Sequence, residues 1–422
     1  MKDERPIIEL DGRTGEGGGQ LVRIASALSA VTTTPIRITN VRGNREGHRG
    51  GGLKSQHVTA IDYLATATGA QVEGLSVGSH TLEFRPQLRP SQLKSRTIKI
   101  SADSPAASIM LIFQAIFPFL LFAANDKNEP ITLEISGGTN VAFSLSYEYL
   151  DQVLLPTLED AFGIKVERKL MGRGWSLGKQ QRGKVQFKFT PVKMGETIKM
   201  KTKGGIFGIE GGGRPNVEDV EAIDVSMIVP SEMHEAMTEA LVEDLEQLFP
   251  DAEINFRVVE DSGADSRINV LLVARAGAVR WGRDVLTSVP KKAKGSKAGV
   301  QTTTSLCGTI SRSLSKELYE EVSTGGVVDE FLQDQLVIFQ ALAEGRTSFP
   351  RGDDKDSLEQ VMAKLEIDGD NLRKEKTDKP FGEGSTHTTT ARWVTAQLLP
   401  GVSWYNKGYV CEGIGMRMEK TK

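Results

Sequence analysis

Thr66-Ala67-Thr68-Gly69-Ala70-Gln71-Val72-Glu73 and, further along the chain, Asp160-Ala161-Phe162-Gly163-Ile164-Lys165-Val166-Glu167 follow one pattern. In each, an apolar-faced helix runs into a glycine and a short strand follows. A glycine just past a helix end takes the left-handed conformation that closes the last turn. Outward from these stops, the helices cover about residues 55–68 and 146–162. Each is preceded by a strand opened by proline, Pro35-Ile36-Arg37-Ile38 in one case and Pro130-Ile131-Thr132-Leu133-Glu134-Ile135 in the other. Those strands follow further helices, about 21–30 and 106–123. Helix, proline-started strand, helix, glycine stop and short strand therefore occur twice in one order. A third pair of helical segments, about 330–343 and 388–398, resembles a diverged copy. The expected fold class is α/β (α+β), with three repeated βαβα-type units forming a large domain.

Between the second and third units lies a block of different pattern, with strands at about 220–229, 253–259 and 268–274 and an amphipathic helix at 234–248. It is expected to be a smaller inserted α+β domain. The expected division is 1–185 for units 1 and 2, 186–299 for the insert and 300–422 for unit 3. Within the last span, residues 351–384 are dense in charge and poor in core residues except Leu358, Val361, Met362 and Leu365. They are expected to form a surface insertion with one short helix. Lys291 to Lys297 would be the insert's return linker.

The 422 residues are 39% apolar and 25% charged, the balance of a globular protein with a large core. The longest apolar run, 109–124, contains Gln114 and Pro118 and is short for a bilayer span, so no membrane partner is expected. The charged start, Met1-Lys2-Asp3-Glu4-Arg5, has no apolar stretch of a secretory signal. Cys307 and Cys411 have no metal-ligand spacing and suit a reducing compartment. A protein that is not secreted is expected, nuclear or nucleoplasmic rather than cytoplasmic. A net charge of −3 does not advertise a nucleic-acid binder. Local clusters say more: Arg42, Arg45, His48, Arg49 and Lys54; then Arg85, Arg89, Lys94, Arg96 and Lys99; then the lysines at 291–297. Each has the composition of a solvated surface run. The first is the best candidate phosphate track, because its glycines keep the backbone adaptable.

Chemistry concentrates at three places. Gly15-Glu16-Gly17-Gly18-Gly19-Gln20 packs glycines around one carboxylate just before an apolar helix. Free N–H groups at a helix start, with the dipole behind them, attract anions. Glu16 would repel a bare phosphate and suits a divalent cation lying between the two. The segment matches neither G-x-G-x-x-G nor a P-loop, and a ligand-free turn has the same composition. Glu330 and Asp334 fall four apart on one helical face. In Gly384-Ser385-Thr386-His387-Thr388-Thr389-Thr390, a histidine stands at a helix start, where a neutral imidazole is favoured and is nucleophilic toward phosphorus. The surrounding hydroxyls equally suit simple capping.

Taken in order, Glu16-Gly17-Gly18-Gly19-Gln20 with Arg23, Gln56-His57-Val58-Thr59-Ala60, Val72-Glu73-Gly74, Phe84-Arg85-Pro86, Gln114, Ser136-Gly137-Gly138-Thr139, Asp334-Gln335 and His387 resemble the RNA 3′-terminal phosphate cyclases. The resemblance spans nearly the whole chain outside the charged insertion. It implies a large domain of three repeated units with a small inserted domain. It also implies ATP-dependent conversion of an RNA 3′-phosphate to a 2′,3′-cyclic phosphodiester, a ligase-type nucleotidyl transfer releasing AMP and diphosphate. His387 would carry AMP. Gln114, Phe331, Leu332, Gln333, Asp334 and Gln335 would meet ATP, and Arg23, Arg42, Gln56 and His57 would meet RNA phosphate. Glu16 would act in catalysis and hold Mg or Mn. Partners would be ATP and RNA 3′ ends; the oligomeric state is left open. The sequence departs from the family at Gly51-Gly52-Leu53, Ala106-Ala107-Ser108 and Gly178 to Gly183. It also departs after the histidine, where Ala391 replaces an asparagine. Two other readings are a cyclase-like RNA-binding factor without adenylylation, acting in ribosome assembly or rRNA processing, and a transferase of small phosphorylated metabolites.

Overall fold

A computed structural model describes residues 5–45, 50–201, 215–263, 266–289, 303–352 and 372–419. Unit 1 comprises β1 (Ile8–Asp11), α1 (Gly19–Thr32), β2 (Ile36–Thr39), α2 (Ser55–Thr68), β3 (Gln71–Glu73) and β4 (Leu82–Arg85), with sheet order β1-β2-β4-β3. Unit 2 comprises β5 (Thr97–Ser101), α3 (Ile109–Leu121), β6 (Ile131–Gly137), the short turn α4 (Tyr147–Tyr149), a π-turn at Leu150–Leu154, α5 (Leu155–Phe162), β7 (Val166–Gly172) and β8 (Gly183–Phe189). Its order, β5-β6-β8-β7, repeats that of unit 1. In both, the first two strands are parallel and the other pairs antiparallel. The parallel pair is the one joined through a helix, as a crossover requires. Gly69 and Gly163 end α2 and α5 in the left-handed conformation. The repeat was legible because these stops are local.

The insert comprises β9 (Ala222–Val229), α6 (His234–Leu248), β10 (Glu253–Asp261), β11 (Arg267–Ala276), β12 (Val279–Ser288) and α7 (Thr303–Ser323), with sheet order β10-β9-β11-β12. Unit 3 has α8 (Glu330–Leu342), β13 (Glu344–Ser348), α9 (Thr386–Leu398), β14 (Ser403–Tyr405) and β15 (Val410–Ile414), with order β13-β15-β14. That order supplies the second, fourth and third positions of the repeat. The first position falls to the segment around Lys199, which forms a parallel bridge with Glu344, whose N–H donates to the Ile198 carbonyl (2.8 Å). The insert therefore interrupts unit 3 between its first strand position and α8.

Three expected boundaries move. Residue 186 lies inside β8, whose Val185, Phe187 and Phe189 are buried in the sheet of unit 2. Position 300 would give α7 to unit 3, yet α7 packs on α6, β11 and β12. The span 351–384 is not wholly an excursion. Lys374 bridges to Tyr405, Glu375 N–H donates to the Trp404 carbonyl (2.8 Å), and Phe381 is buried. The expected short helix near 358–365 and the lysine run at 291–297 lie outside the described residues.

The first helices of the three units form the centre. In α3 all residues from Ile109 to Leu121 are buried except Leu111 and Gln114. Phe113 stacks on Phe117 (4.6 Å), and Phe117 meets Phe339 of α8 (6.1 Å). Apolar burial at these contacts is the main stabilising term. None of the described helices is long and apolar enough to cross a membrane. One buried polar joint ties unit 2, the insert and unit 3 together. Asp329 caps α8 by accepting from Phe331 N–H (2.9 Å) and Leu332 N–H (2.8 Å). It also accepts from Tyr149 Oη–H (2.6 Å) and Gly282 N–H (2.7 Å).

Candidate active site

The glycine loop is shaped by what it must approach. Gly15 and Gly17 have φ of 65° and 61°. A Cβ on Gly15 would run into Thr390 Oγ1, and Glu16 N–H donates to that same oxygen (2.9 Å). Thr390 thus fastens the loop to α9, the helix that begins beside His387. The N-cap of α1 is Gly18, which offers no side-chain acceptor, so the first-turn N–H groups keep their capacity for an anion.

Cations crowd that helix start. A Cβ on Gly19 would lie 2.7 Å from Arg23 Nη1 and 2.8 Å from His57 Nε2, so the glycine lets both side chains reach the helix end. Arg23 Nη2 donates to Gln20 Oε1 (2.6 Å), while its Nε is buried without a partner among the described residues. Burial, with Arg42 nearby, lowers the Arg23 pKa to about 10 although Asp334 opposes the shift. Lys54 N–H donates to His57 Nδ1 (3.1 Å), which places the neutral ring's proton on Nε2. That Nε2 is buried with no partner among the described residues. Burial first, then Arg23, Arg42 and Lys54, push the His57 pKa well below 6.5. Arg42, half-buried, donates to the Gly50 carbonyl (2.9 Å). The result is an electropositive pocket with unspent donors.

Glu16 pairs through Oε1 with Arg45, and its Oε2 is buried without a partner among the described residues. No cluster of three or more histidine, cysteine or acidic ligands occurs among the described residues. A single carboxylate with a free oxygen fits an ion that takes its remaining ligands from phosphate and water, as magnesium does. His387 stands in the first turn of α9, behind the Ser385 cap, which accepts from Thr388 N–H (3.2 Å). Burial, then Arg23 and Arg45, lower its pKa, with Glu330 opposing. Its ring is therefore held neutral near pH 7 within the field of the same cations.

Next to Arg23 a narrow cleft opens between α1, α3, α8 and the π-turn and α5 of unit 2. Its floor is apolar, with Ile24, Phe113, Phe117, Leu154, Leu158, Ile338 and Phe339. Its polar edge is Gln20, Arg23, Gln114, Asp334 and Gln335. Gln114 donates to Gln335, which donates to Asp334 Oδ1 (2.6 Å). Burial raises the Asp334 carboxyl to about 7. An apolar floor with an amide and acid edge suits a purine, and the cationic pocket beside it suits phosphates.

Against this geometry, a model of the RNA 3′-terminal phosphate cyclases matches residues 14–401. The chain belongs to the RNA 3′-terminal phosphate cyclase family. The RNA 3′-terminal phosphate cyclase of Pyrococcus furiosus is 31% identical over 81% of this chain and 87% of its own length. The cyclase of Methanosarcina mazei is 33% identical over 81% and 89%. That of Drosophila melanogaster is 30% identical over 83% and 87%.

Within this cyclase fold, Glu16, Arg23, Arg42 and His57 come together at the start of α1, and His387 lies within the field of Arg23. Gln114, Asp334 and Gln335 share the cavity. Three residues expected beside them do not line it. Leu332 is fully buried in the core. Gln333 donates to the Phe349 carbonyl (3.2 Å) inside unit 3. Phe331 is half-exposed, with the Arg283 guanidinium 4.9 Å from its ring centre and Tyr149 at its edge. Helical periodicity turns Leu332 and Gln333 away from the face that carries Asp334, Gln335, Ile338 and Phe339, whereas Phe331 shares that face one turn earlier, at the start of α8. Gln56 is half-buried in the first turn of α2 and also lies outside the cavity lining. Gln20, Arg45 and Thr390 are the residues the site adds. Their signal was present in the glycine loop, the first basic cluster and the hydroxyl run, but their partners are distant in sequence. In the second basic cluster two members are spent within the fold: Arg85 pairs with Glu83 (2.5 Å), and Arg96 donates to the carbonyls of Ala123 and Glu129 (both 2.5 Å).

Proposed function

We propose that the protein uses ATP to convert the 3′-phosphate of an RNA end into a 2′,3′-cyclic phosphodiester. The observation that supports this reading is the shared cationic field: Arg23 reaches the uncapped start of α1, and its charge acts on His387. A neutral nucleophile thus lies beside a cradle for phosphates. In the proposed reaction an imidazole nitrogen of His387 attacks the α-phosphorus of ATP and diphosphate leaves. AMP is then held on the ring through a P–N bond. A 3′-phosphate oxygen of the RNA attacks that phosphorus, the P–N bond breaks, and the histidine is regenerated. The neighbouring ribose 2′-hydroxyl then attacks the activated 3′-phosphorus, loses its proton and expels AMP. A phosphate monoester is a poor electrophile with a poor leaving group, and adenylylation supplies the leaving group. What remains is positioning and neutralisation of charge.

Arg23, Arg42 and His57 would hold phosphate oxygens, the arginines through their planar forks and His57 through its unspent Nε2–H. Gln114, Asp334 and Gln335 would meet the base of ATP. Glu16 would hold a divalent cation, Mg or Mn, which offsets phosphate charge when bound. The test is an oligoribonucleotide with a labelled 3′-phosphate, incubated with ATP and then with phosphatase. Label that becomes phosphatase-resistant, with AMP released, is the expected result. A 2′-deoxy terminal sugar should instead stall the reaction at the RNA adenylate. A 3′-phosphate that stays sensitive to phosphatase contradicts the proposal.

A further inference from the structure

Phe143 is the most exposed large apolar side chain among the described residues, at 103% of its reference area, and its φ is 62°. A bulky residue at positive φ is uncommon and costs conformational energy. The loop that carries it is nonetheless anchored on both sides. Before it, Asn140 is buried and donates to Glu148 Oε2 (3.0 Å) and Asn269 Oδ1 (2.8 Å), and Ala142 N–H donates to Ser176 Oγ (3.0 Å). After it, the Ser144 hydroxyl lies 2.5 Å from the Ser108 hydroxyl, the N-cap of α3. The ring is therefore presented to solvent by a fixed backbone, with no aromatic or cationic contact among the described residues.

Its place relative to the site follows from α3. Gln114, on the cavity edge, is six residues from Ser108, about 9 Å along a helix axis. The cavity meets α3 at Phe113, Gln114 and Phe117, so Phe143 lies by the helix end that precedes these residues, within about 9 Å of Gln114 along the axis. Phe331, the other exposed aromatic among the described residues, begins α8, but Arg283 already occupies a face of its ring. Phe143 has both faces free. We infer that Phe143 is a stacking platform for a nucleobase near the 3′ end of the RNA, one of the nucleotides upstream of the phosphate held by Arg23 and His57. Base stacking on an aromatic ring is tolerant of sequence, so the platform fixes the strand's path without selecting its bases. The inference rests on the RNA substrate proposed above.

The test combines Phe143→Ala and Phe143→Tyr with 3′-phosphorylated oligoribonucleotides, intact or abasic at one of the last three positions. Binding is read by fluorescence anisotropy at fixed salt. Phe143→Ala should bind intact RNA about ten-fold more weakly, and Phe143→Tyr should restore affinity. At one abasic position the difference between wild type and Phe143→Ala should vanish. Equal binding of intact RNA by wild type and Phe143→Ala overturns the inference and leaves the cyclase reading standing. A ten-fold loss that persists at every abasic position also overturns it, since the effect would then pass through the loop. Wild-type protein indifferent to RNA would overturn both readings. The side chain is fully exposed, so unchanged thermal unfolding of Phe143→Ala is the expected folding control.

Discussion

Units 1 and 2 share one sheet order and one sequence of elements, but their first helices begin differently. In unit 2, Ser108 caps α3 by accepting from Leu111 N–H (3.2 Å). In unit 3, Asp329 and Ser385 cap α8 and α9 in the same manner. In unit 1, Gly18 gives α1 no side-chain cap, and the unspent Nε2 of His57 and Nε of Arg23 gather at that end. A helix start normally spends its free N–H groups on a capping oxygen. Among the first helices of the three units, α3 and α8 are closed by a side-chain cap and α1 is left open, and the site lies at the opening. The repeat supplies the scaffold, and the departure from it supplies the chemistry.

The sharpest way to break that contrast is to damage a closed start. Asp329→Ala removes an α8 cap and strands Tyr149 Oη–H and Gly282 N–H in the interior. A loss of about 3 kcal/mol is expected in denaturant unfolding. A loss below about 1 kcal/mol would mean that this joint does not hold unit 2, the insert and unit 3 together. Closing the open start is the complementary experiment. Gly18→Ser should leave thermal stability unchanged or slightly raised, yet reduce AMP attachment about a hundred-fold, because the hydroxyl competes for the N–H groups and the Cβ displaces Glu16. Unchanged attachment would mean that the opening does not serve the nucleotide.

Smaller effects test the field around the opening. His387 must be neutral to attack, and its pKa is held below 6.5 by burial and by Arg23 and Arg45. AMP attachment should therefore persist below pH 6.5 and fall only as the ring gains a proton at lower pH. Arg23→Gln removes one lowering influence, so the acid limb of the profile should move up toward 6.5 as the rate falls. A limb that stays in place would remove Arg23 from the histidine's surroundings. Ser108→Ala should be mildest, at about 1 kcal/mol of stability, with a far smaller change in AMP attachment than Gly18→Ser.

How far the chain could be read without coordinates follows the range of each signal. Gly69, Gly163, the proline-started strands and the helix His234–Leu248 are local patterns, and they gave the repeat and the insert's helix. The insert's true position was hidden because the first strand of unit 3 is reduced to a bridge at Lys199, too short to alternate. The boundary at 186 failed because the alternating Val185, Phe187 and Phe189 suit either neighbour until the pairing with β6 is seen. At the site, the glycine loop and His387 stood out by composition. The fastening of Glu16 to Thr390, the pairing with Arg45 and the joint at Asp329 depend on residues brought together only by the fold. Phe331, Leu332 and Gln333 are neighbours of Asp334 and Gln335 in sequence, but the turn of α8 carries Leu332 and Gln333 to other faces and leaves Phe331 at the helix start.

The central claim is that His387 attacks ATP beside the open start of α1. The direct measurement is incubation with α-labelled ATP and Mg or Mn, followed by denaturing electrophoresis of wild type and His387→Ala. The account predicts a labelled wild-type band that is lost in acid and absent from His387→Ala. An unlabelled wild-type protein with either metal, or a His387→Ala protein that labels as well as wild type, would contradict it.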